Sequence, residues 1–403
     1  MWFYGGEEKM NMRQQKGFEI AKTAQIVEKP NGWVVPSQTS RKTSYFVNEQ
    51  FECNCPDSTF HKTTCKHAFA VRYYLSVEKD TPNGINTEKV RITYKQAWKA
   101  YTQAQNVEVN LFDKLLSDLL NSVEEPAQEM GRPRLSMKKQ LFCAIQKVYS
   151  QLSSRRAYSL FKNAEARQLI DNAPNYNAIN KFLNHEELTA ILHQLVSLSA
   201  QPLKAVDTEF AVDSSGFRTT SFNEYANSKY KLGKAHRWVK AHICTGVKTN
   251  IITAVEITGE NGADSPLFTP LVKTTHENGF TMSEVSADKA YSSRENIKTV
   301  NEVGGMAYIP FRSNATGNSR GSYLWTKMFH YFQYNQEEFS KHYHKRSNVE
   351  TTFFMIKRKF GDTLKSKNPK AQENELLCKI IAHNIVVVIH EMHELGIEGN
   401  FGN

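Results

Sequence analysis

Three carboxylates have the type and setting for phosphoryl-transfer chemistry: Asp213, Asp288 and Glu350. Asp213 ends the apolar run Phe210, Ala211, Val212 and precedes Ser214, Ser215 and Gly216. Asp288 follows Val285, Ser286 and Ala287 in the same way. Acids at the ends of buried strands share one edge, and a third acid on a helix can close the set. Mg²⁺ takes hard oxygen ligands and keeps positions for water and phosphate. A pair of such ions clamps the attacking and leaving oxygens of an in-line displacement. Around Glu350 lie Tyr343, Arg346 and Lys357. On one continuous helix, at about 100° per residue, these four share a narrow face. Arg346 and Lys357 would then be at hand for the phosphates flanking a scissile bond. The same spacing also makes Arg346 and Glu350 an i,i+4 pair in a solvated stripe, so the pattern by itself leaves both readings open. Asp207, after Ala205 and Val206, competes for the role of first acid. The stronger strand before Asp213 favours the latter and leaves Asp207 as a loop or capping residue.

A second constellation lies near the N-terminus. Cys53 and Cys55 are followed, nine residues on, by Cys65 and His67. Three thiolates and an imidazole in two close pairs make a tetrahedral set for one structural Zn²⁺. A small sheet beside them has too little core to hold without such a staple. Six cysteines in 403 residues are no disulfide framework, and the crowding of three points to metal in a reducing cytoplasm. His61, inside the spacer, is not expected to be a ligand.

The net charge of +10 favours an anionic partner such as nucleic acid. The charge is clustered: nine Lys/Arg against one Glu over 132–167, and eight Lys/Arg against two acids over 341–367. The first eight residues lack the basic start and apolar run of a signal peptide. No stretch is expected to span a membrane; the best candidate, Ile380 to Ile389, is interrupted by His383 and Asn384 and suits a buried helix. Gly131, Arg132, Pro133 and Arg134 form an AT-hook-like core, a minor-groove binder, or else a basic linker. Lys229, Lys231, Lys234, Arg237 and Lys240 are candidates for phosphate contacts. Trp325, between the second and third acids, suits packing better than base capture. His236, His242 and His344 are expected to be structural or phosphate-adjacent.

The elements that must position these groups follow from periodicity. Residues 18–52 alternate apolar and polar with turn residues between, which predicts a small antiparallel sheet, then a helix near 68–77. Residues 78–90 are linker-like. Helical spacing runs from about 93 to 123, a second boundary spans 124–136, and 137–200 predicts a compact helical bundle. Five strands follow, at 210–213, 239–245, 251–257, 284–288 and 306–311, with a hairpin turn at 246–250 and a helix near 267–278. Three antiparallel strands, then a helix, a strand, a helix-like segment and a strand give the order of a ribonuclease-H-like α/β fold, a mixed five-stranded sheet with helices.

Two resemblances gather these features. Cys53-x-Cys55, a spacer, and Cys65-x-His67 resemble the SWIM zinc-binding domain, which implies binding to DNA or protein. Tyr343, Arg346, Glu350 and Lys357 resemble, at every spacing, the Tyr-x₂-Arg-x₃-Glu-x₆-Lys signature of a branch of the DDE transposases of bacterial insertion sequences. The segments around Asp213 and around Asp288, Ala290 and Tyr291 resemble the first-acid and second-acid motifs of that family. The likeness spans about 131–395. It implies two Mg²⁺ or Mn²⁺ per active site held by Asp213, Asp288 and Glu350, double-stranded DNA (terminal inverted repeats and target) as partner, and a homodimer in the DNA complex, in the bacterial cytoplasm on the nucleoid. The expected organisation is a SWIM-like domain over 1–90, a helical linker over 91–130, a helical DNA-binding domain over 131–204 and the catalytic domain over 205–403. A catalytically inactive regulatory derivative, or a nuclease without strand transfer, remains as the alternative.

Overall fold

In a computed structural model, residues 12–24, 26–38, 43–61, 64–77, 97–128, 130–131, 133–219, 238–318 and 320–401 are described. They divide into two compact units, Met1–Glu88 and Lys89–Asn403. Of the residues named above, Arg132, Lys229, Lys231, Lys234, His236 and Arg237 lie outside the described residues, as do the linker at 78–90 and the expected helix start at 93–96.

The first unit has a three-stranded antiparallel sheet, β1 (Val27–Lys29), β2 (Gly32–Pro36) and β3 (Ser44–Asn48), with β2 in the centre. Gly32, at φ +151°, opens β2 where an added Cβ would meet the Val47 carbonyl at 2.2 Å, so only glycine fits there. Helix α1 (Met12–Thr23) precedes the sheet, and α2 (Pro56–His61) and α3 (Lys66–Val77) follow it. The alternation reading does not hold over 18–23. That stretch is the end of α1, which packs on α3 through Gly17, whose missing side chain admits Phe69 and the Lys66 carbonyl. Tertiary contact, not local alternation, fixes the helix there. Arg13 grips Asp57 through two hydrogen bonds, at 2.8 and 3.1 Å, tying α1 to α2.

The second unit opens with α4 (Trp98–Leu120) and continues through α5 (Met137–Tyr149), α6 (Ser154–Ala166), α7 (Tyr176–Phe182) and α8 (Glu187–Ser199). The sheet follows: β4 (Glu209–Arg218), β5 (Trp238–Gly246), β6 (Ile252–Gly259), α9 (Ser265–Glu277), β7 (Glu284–Ala287), α10 (Arg294–Glu302) and β8 (Met306–Tyr308). Its order is β6-β5-β4-β7-β8, antiparallel on one side of β4 and parallel on the other. Central β4 carries an unbroken buried run, Phe210, Ala211 and Val212, as a strand covered on both faces requires. Four helices close the chain: α11 (Tyr323–Tyr334), α12 (Gln336–Tyr343), α13 (Ser347–Phe360) and α14 (Pro369–Glu394).

By length and composition α14 is apolar enough to cross a membrane, which corrects the expectation that no stretch is. It is nonetheless buried over most of its length among α4, α5, α8 and α13, as the core helix of this unit. The helices read as a linker (91–130) and as a separate bundle (131–204) therefore lie in one compact unit with the sheet. The two polar residues that interrupt the apolar run of α14 have a structural task. Asn384 accepts from the Ile252 N–H (3.0 Å) and donates to the Ile252 carbonyl (2.8 Å), while His383 Nε2 lies 2.9 Å from the Asn250 carbonyl. Ile252 begins β6, an edge strand, and Asn384 satisfies backbone groups that the sheet leaves unpaired there.

Candidate functional site

Strand register brings the first two acids together. β4 and β7 run parallel with Val212 opposite Ala287, so Asp213 and Asp288 emerge side by side at the same end. Asp288 caps the short 3₁₀ turn 289–291, accepting from the Ala290 N–H at 3.4 Å. Helix α13 packs on β4 and supplies the third acid. The Arg346 guanidinium bridges Asp213 Oδ2 (2.6 Å) and Glu350 Oε1 (2.8 Å). Burial raises the Asp213 carboxyl above its usual range; Arg346 opposes this, and the charges of Asp288 and Glu350 add to it. The buried Tyr343 phenol is raised by burial too and lies in the field of Arg346, Asp288 and Asp213. The three acids, Arg346 and Tyr343 thus form one electrostatic cluster.

The single helix expected over 343–357 does not form. Tyr343 ends α12, His344–Arg346 make a 3₁₀ turn, and α13 starts at Ser347. Lys345 accounts for the break. Its Nζ donates to Glu209 Oε1 (2.6 Å) and Glu284 Oε2 (2.9 Å), where β4 and β7 begin, and Asn348 Nδ2 holds the Lys345 carbonyl at 3.0 Å. A tighter 3₁₀ turn lets consecutive cations serve different points along the strands, Lys345 the beginnings and Arg346 the acid midway along β4.

Along β4 alternate side chains share a face. On the face towards α13, Lys357 Nζ donates to Ser215 Oγ (2.7 Å) and sits 5.1 Å from the centre of the Phe217 ring. Burial lowers the Lys357 ammonium below its usual range. On the other face Ser214 donates to Asp264 Oδ1 (2.8 Å), which Lys240 Nζ also reaches at 2.5 Å. Lys240, read as a phosphate contact, is therefore ion-paired within the fold. His242 Nδ1 is 3.2 Å from Asp264 Oδ1 but lacks hydrogen-bond alignment; burial pushes its pKa down to about 4 and leaves it neutral. The fully buried Tyr291 hydroxyl is raised by burial, then by the nearby charges of Asp213 and Asp264. Sequence reasoning missed Asp264. The one signal for it was its position just ahead of Ser265 and Pro266 at the start of α9.

Asp207 lies elsewhere. It is 1% exposed and accepts from the Lys248 N–H (2.9 Å) and Thr249 Oγ1 (2.5 Å), fastening the β5–β6 turn. A Cβ on Gly246 would come within 2.4 Å of its Cγ. Trp325 is packed against Phe311, beneath Arg294, and donates to the Thr316 carbonyl at 2.8 Å. His344 lies in the 3₁₀ turn, where burial lowers its pKa. Arg134 is exposed, ahead of α5, its N–H donating to Gln128 Oε1 at 3.1 Å.

In the first unit, Cys53, Cys55, Cys65 and His67 come together, each buried, with ligating atoms within 4.8 Å of one another. His67 Nδ1 faces the sulfurs, 3.9 Å from Cys53 Sγ and 4.0 Å from Cys65 Sγ, while its buried Nε2 has no partner among the described residues. The Ala68 N–H points at Cys65 Sγ (3.5 Å), and the Cys65 thiol is held well below its usual range, chiefly by the hydrogen bond from Cys53. Among the described residues no other Cys, His, Asp or Glu group converges this closely; Asp213, Asp288 and Glu350 are set wider, with Arg346 between two of them.

Comparison with known proteins gives three findings. The chain is 24% identical over 214 residues to a probable transposase for insertion sequence element ISA1214 from Archaeoglobus fulgidus, over 53% of this chain and 64% of the relative, so it spans less than two thirds of that protein. A piggyBac transposase in a synaptic complex with hairpin DNA is similar at 10% identity and a TM-score of 0.36, over 77% of this chain and 78% of the other. Residues 204–385 match the family model described as transposase DDE domain, a stretch that holds all three acids, Arg346 and Lys357. The mixed five-stranded sheet with its helices fits a ribonuclease-H-like domain of that kind, and the match together with the insertion-sequence relative supports a DDE-class transposase domain in this chain.

Proposed function

We propose that this chain cleaves double-stranded DNA at the terminal inverted repeats of a mobile element and joins the freed 3′-hydroxyl ends to target DNA. The observation that carries this reading is the register that sets Asp213 beside Asp288, with Arg346 joining Asp213 to Glu350. Hard carboxylate oxygens from the middle of β4 and the end of β7, with a third from a helix, are a donor set suited to Mg²⁺ or Mn²⁺. Asp213, Asp288 and Glu350 would hold two such ions, which when bound activate the attacking oxygen and stabilise the leaving one. Arg346 orients both Asp213 and Glu350 and offers its remaining donors to a phosphate. Lys357, half-buried and without a carboxylate partner among the described residues, contributes a second cation towards DNA. The Tyr343 phenol lies in the field of Arg346.

The thiolate and imidazole set of the first unit fits one structural Zn²⁺, since thiolate–Zn distances of about 2.3 Å suit a cluster this compact. A SWIM-type module would then bind DNA or protein. The chain would act as a homodimer on paired DNA ends, in the cytoplasm on nucleoid DNA.

The test is Mg²⁺-dependent nicking and strand transfer on the DNA that flanks the coding sequence, with Asp288→Asn and Glu350→Gln in parallel. Both variants are expected to bind the DNA and to lose cleavage to background. Full cleavage by either sinks the site. Cleavage without joining by the parent protein would instead favour a ribonuclease-H-like nuclease.

A further inference from the structure

We infer that the outer face of α13 carries a base-stacking platform, Phe354 beneath Arg358, for an unpaired nucleotide beside the scissile phosphate; this rests on the transposase reading above. Phe354 is 59% exposed, although the opposite face of the same helix (Val349, Thr352, Phe353, Ile356 and Phe360) is buried. The Arg358 guanidinium lies 5.7 Å from the Phe354 ring centre. Glu350, Phe354 and Arg358 are spaced i, i+4, i+8, so they form one stripe that begins at the third acid.

A single exposed aromatic needs no function of its own. Three further observations set this one apart. It stands about 6 Å along the helix from Glu350, which is one to two nucleotides at about 3.4 Å each. It carries a guanidinium, and an aromatic face with an arginine is a sequence-tolerant surface for a base. The charge around it suits an anion. Among the described residues Lys357 and Arg358 have no carboxylate within ion-pair distance, whereas Lys341, Lys345, Arg346 and Lys359 are each paired with one. Lys365 and Lys367 of this cluster are likewise unpaired among the described residues, but of these four only Lys357 and Arg358 lie on α13, three and four residues from the exposed ring.

The stripe fits single-stranded DNA better than duplex, because a ring can stack only on a base that has left its own stack. The occupant would be the nucleotide one or two places from the cut, held once the strands separate there.

The experiment uses the full chain in an Asp288→Asn background. Its probes are a blunt duplex and the same duplex with a short single-stranded tail carrying 2-aminopurine, both of arbitrary sequence. The background protein is expected to quench the 2-aminopurine and to prefer the tailed duplex. Phe354→Ala is expected to abolish the quench and to weaken tailed-duplex binding by about tenfold or more, with blunt-duplex affinity unchanged. Phe354→Trp is expected to keep both signals. An unchanged quench and unchanged tailed affinity in Phe354→Ala overturn the platform while leaving the transposase reading intact. Failure of the background protein to bind either duplex overturns both.

Discussion

Two aspartates six residues apart can be separated by what their loss costs. Asp207 is buried and satisfies two donors of the β5–β6 turn, the Lys248 N–H and the Thr249 hydroxyl. Replacing it by alanine strands both donors in a site closed to water, at about 1–3 kcal/mol each. Part of this is offset, because the Asp207 carboxyl is itself raised by burial and its charge is unfavourable there. The net loss is about 2–4 kcal/mol, a drop on the order of 5 °C in the melting temperature of this unit. Asp213→Asn should behave in the opposite way. The amide keeps the shape, relieves a carboxylate that burial and the charges of Asp288 and Glu350 disfavour, and leaves Arg346 its bond to Glu350. Its stability should stay within about 1 kcal/mol of the parent, while Mg²⁺-dependent cleavage disappears. The assay is a thermal melt followed by a cleavage assay well below the melting point. An Asp207→Ala protein that melts like the parent yet cannot cut would refute the assignment of the first acid. So would an Asp213→Asn protein that unfolds but, where folded, still cuts.

Glu391 gives the pH dependence. Burial, with Glu394 and Asp207 adding, pushes its pKa up to about 7 from 4.5. A carboxyl raised in the folded state favours folding when protonated, so this contribution is complete below about pH 4.5 and is lost as pH rises towards 7. Glu391→Gln should flatten the stability profile across that window and exceed the parent at pH 8 by on the order of 2 kcal/mol; a parallel profile in denaturant titrations would refute this. In the first unit, Cys53→Ser with Cys65→Ser should abolish one bound Zn²⁺ per chain by elemental analysis and unfold the sheet β1–β3 and helix α3. The melt of the second unit should persist, and a parent protein free of zinc would defeat the claim.

The sheet was legible because its strands are long and continuously apolar where they are central: Phe210 to Val212 on β4 and the buried stretch of β5 announce themselves without partners. Asp213 and Asp288 could be read for the same reason, as acids that stop apolar runs. The paired cysteines needed only spacing. What escaped depends on partners distant in sequence. Helix α1 is fixed by α3 across Gly17, and the break before α13 by Glu209 and Glu284, each many residues away. Asp264 looks in sequence like any acid ahead of a helix. Only the pairing of β4 with β5 brings Lys240, His242 and Ser214 to it.

The basic clusters show most clearly where counting charges stops being informative. Over 132–167, Lys139 pairs with Asp171, Arg167 pairs with Asp113, and Lys147 is buried against Asn180. Over 341–367 half of the cations are likewise held by carboxylates of the fold. Such pairs position strands and helices and lend little attraction to a distant phosphate, because the field of each cation is cancelled within a few ångströms. A DNA strand approaching the acids would meet mainly the cations the fold leaves unpaired among the described residues, Lys357 and Arg358 on α13 included. Both stand within about two turns of Glu350. Two of the unpaired cations and the third acid thus share one helix, so a strand drawn to those cations would arrive with a phosphate near Glu350.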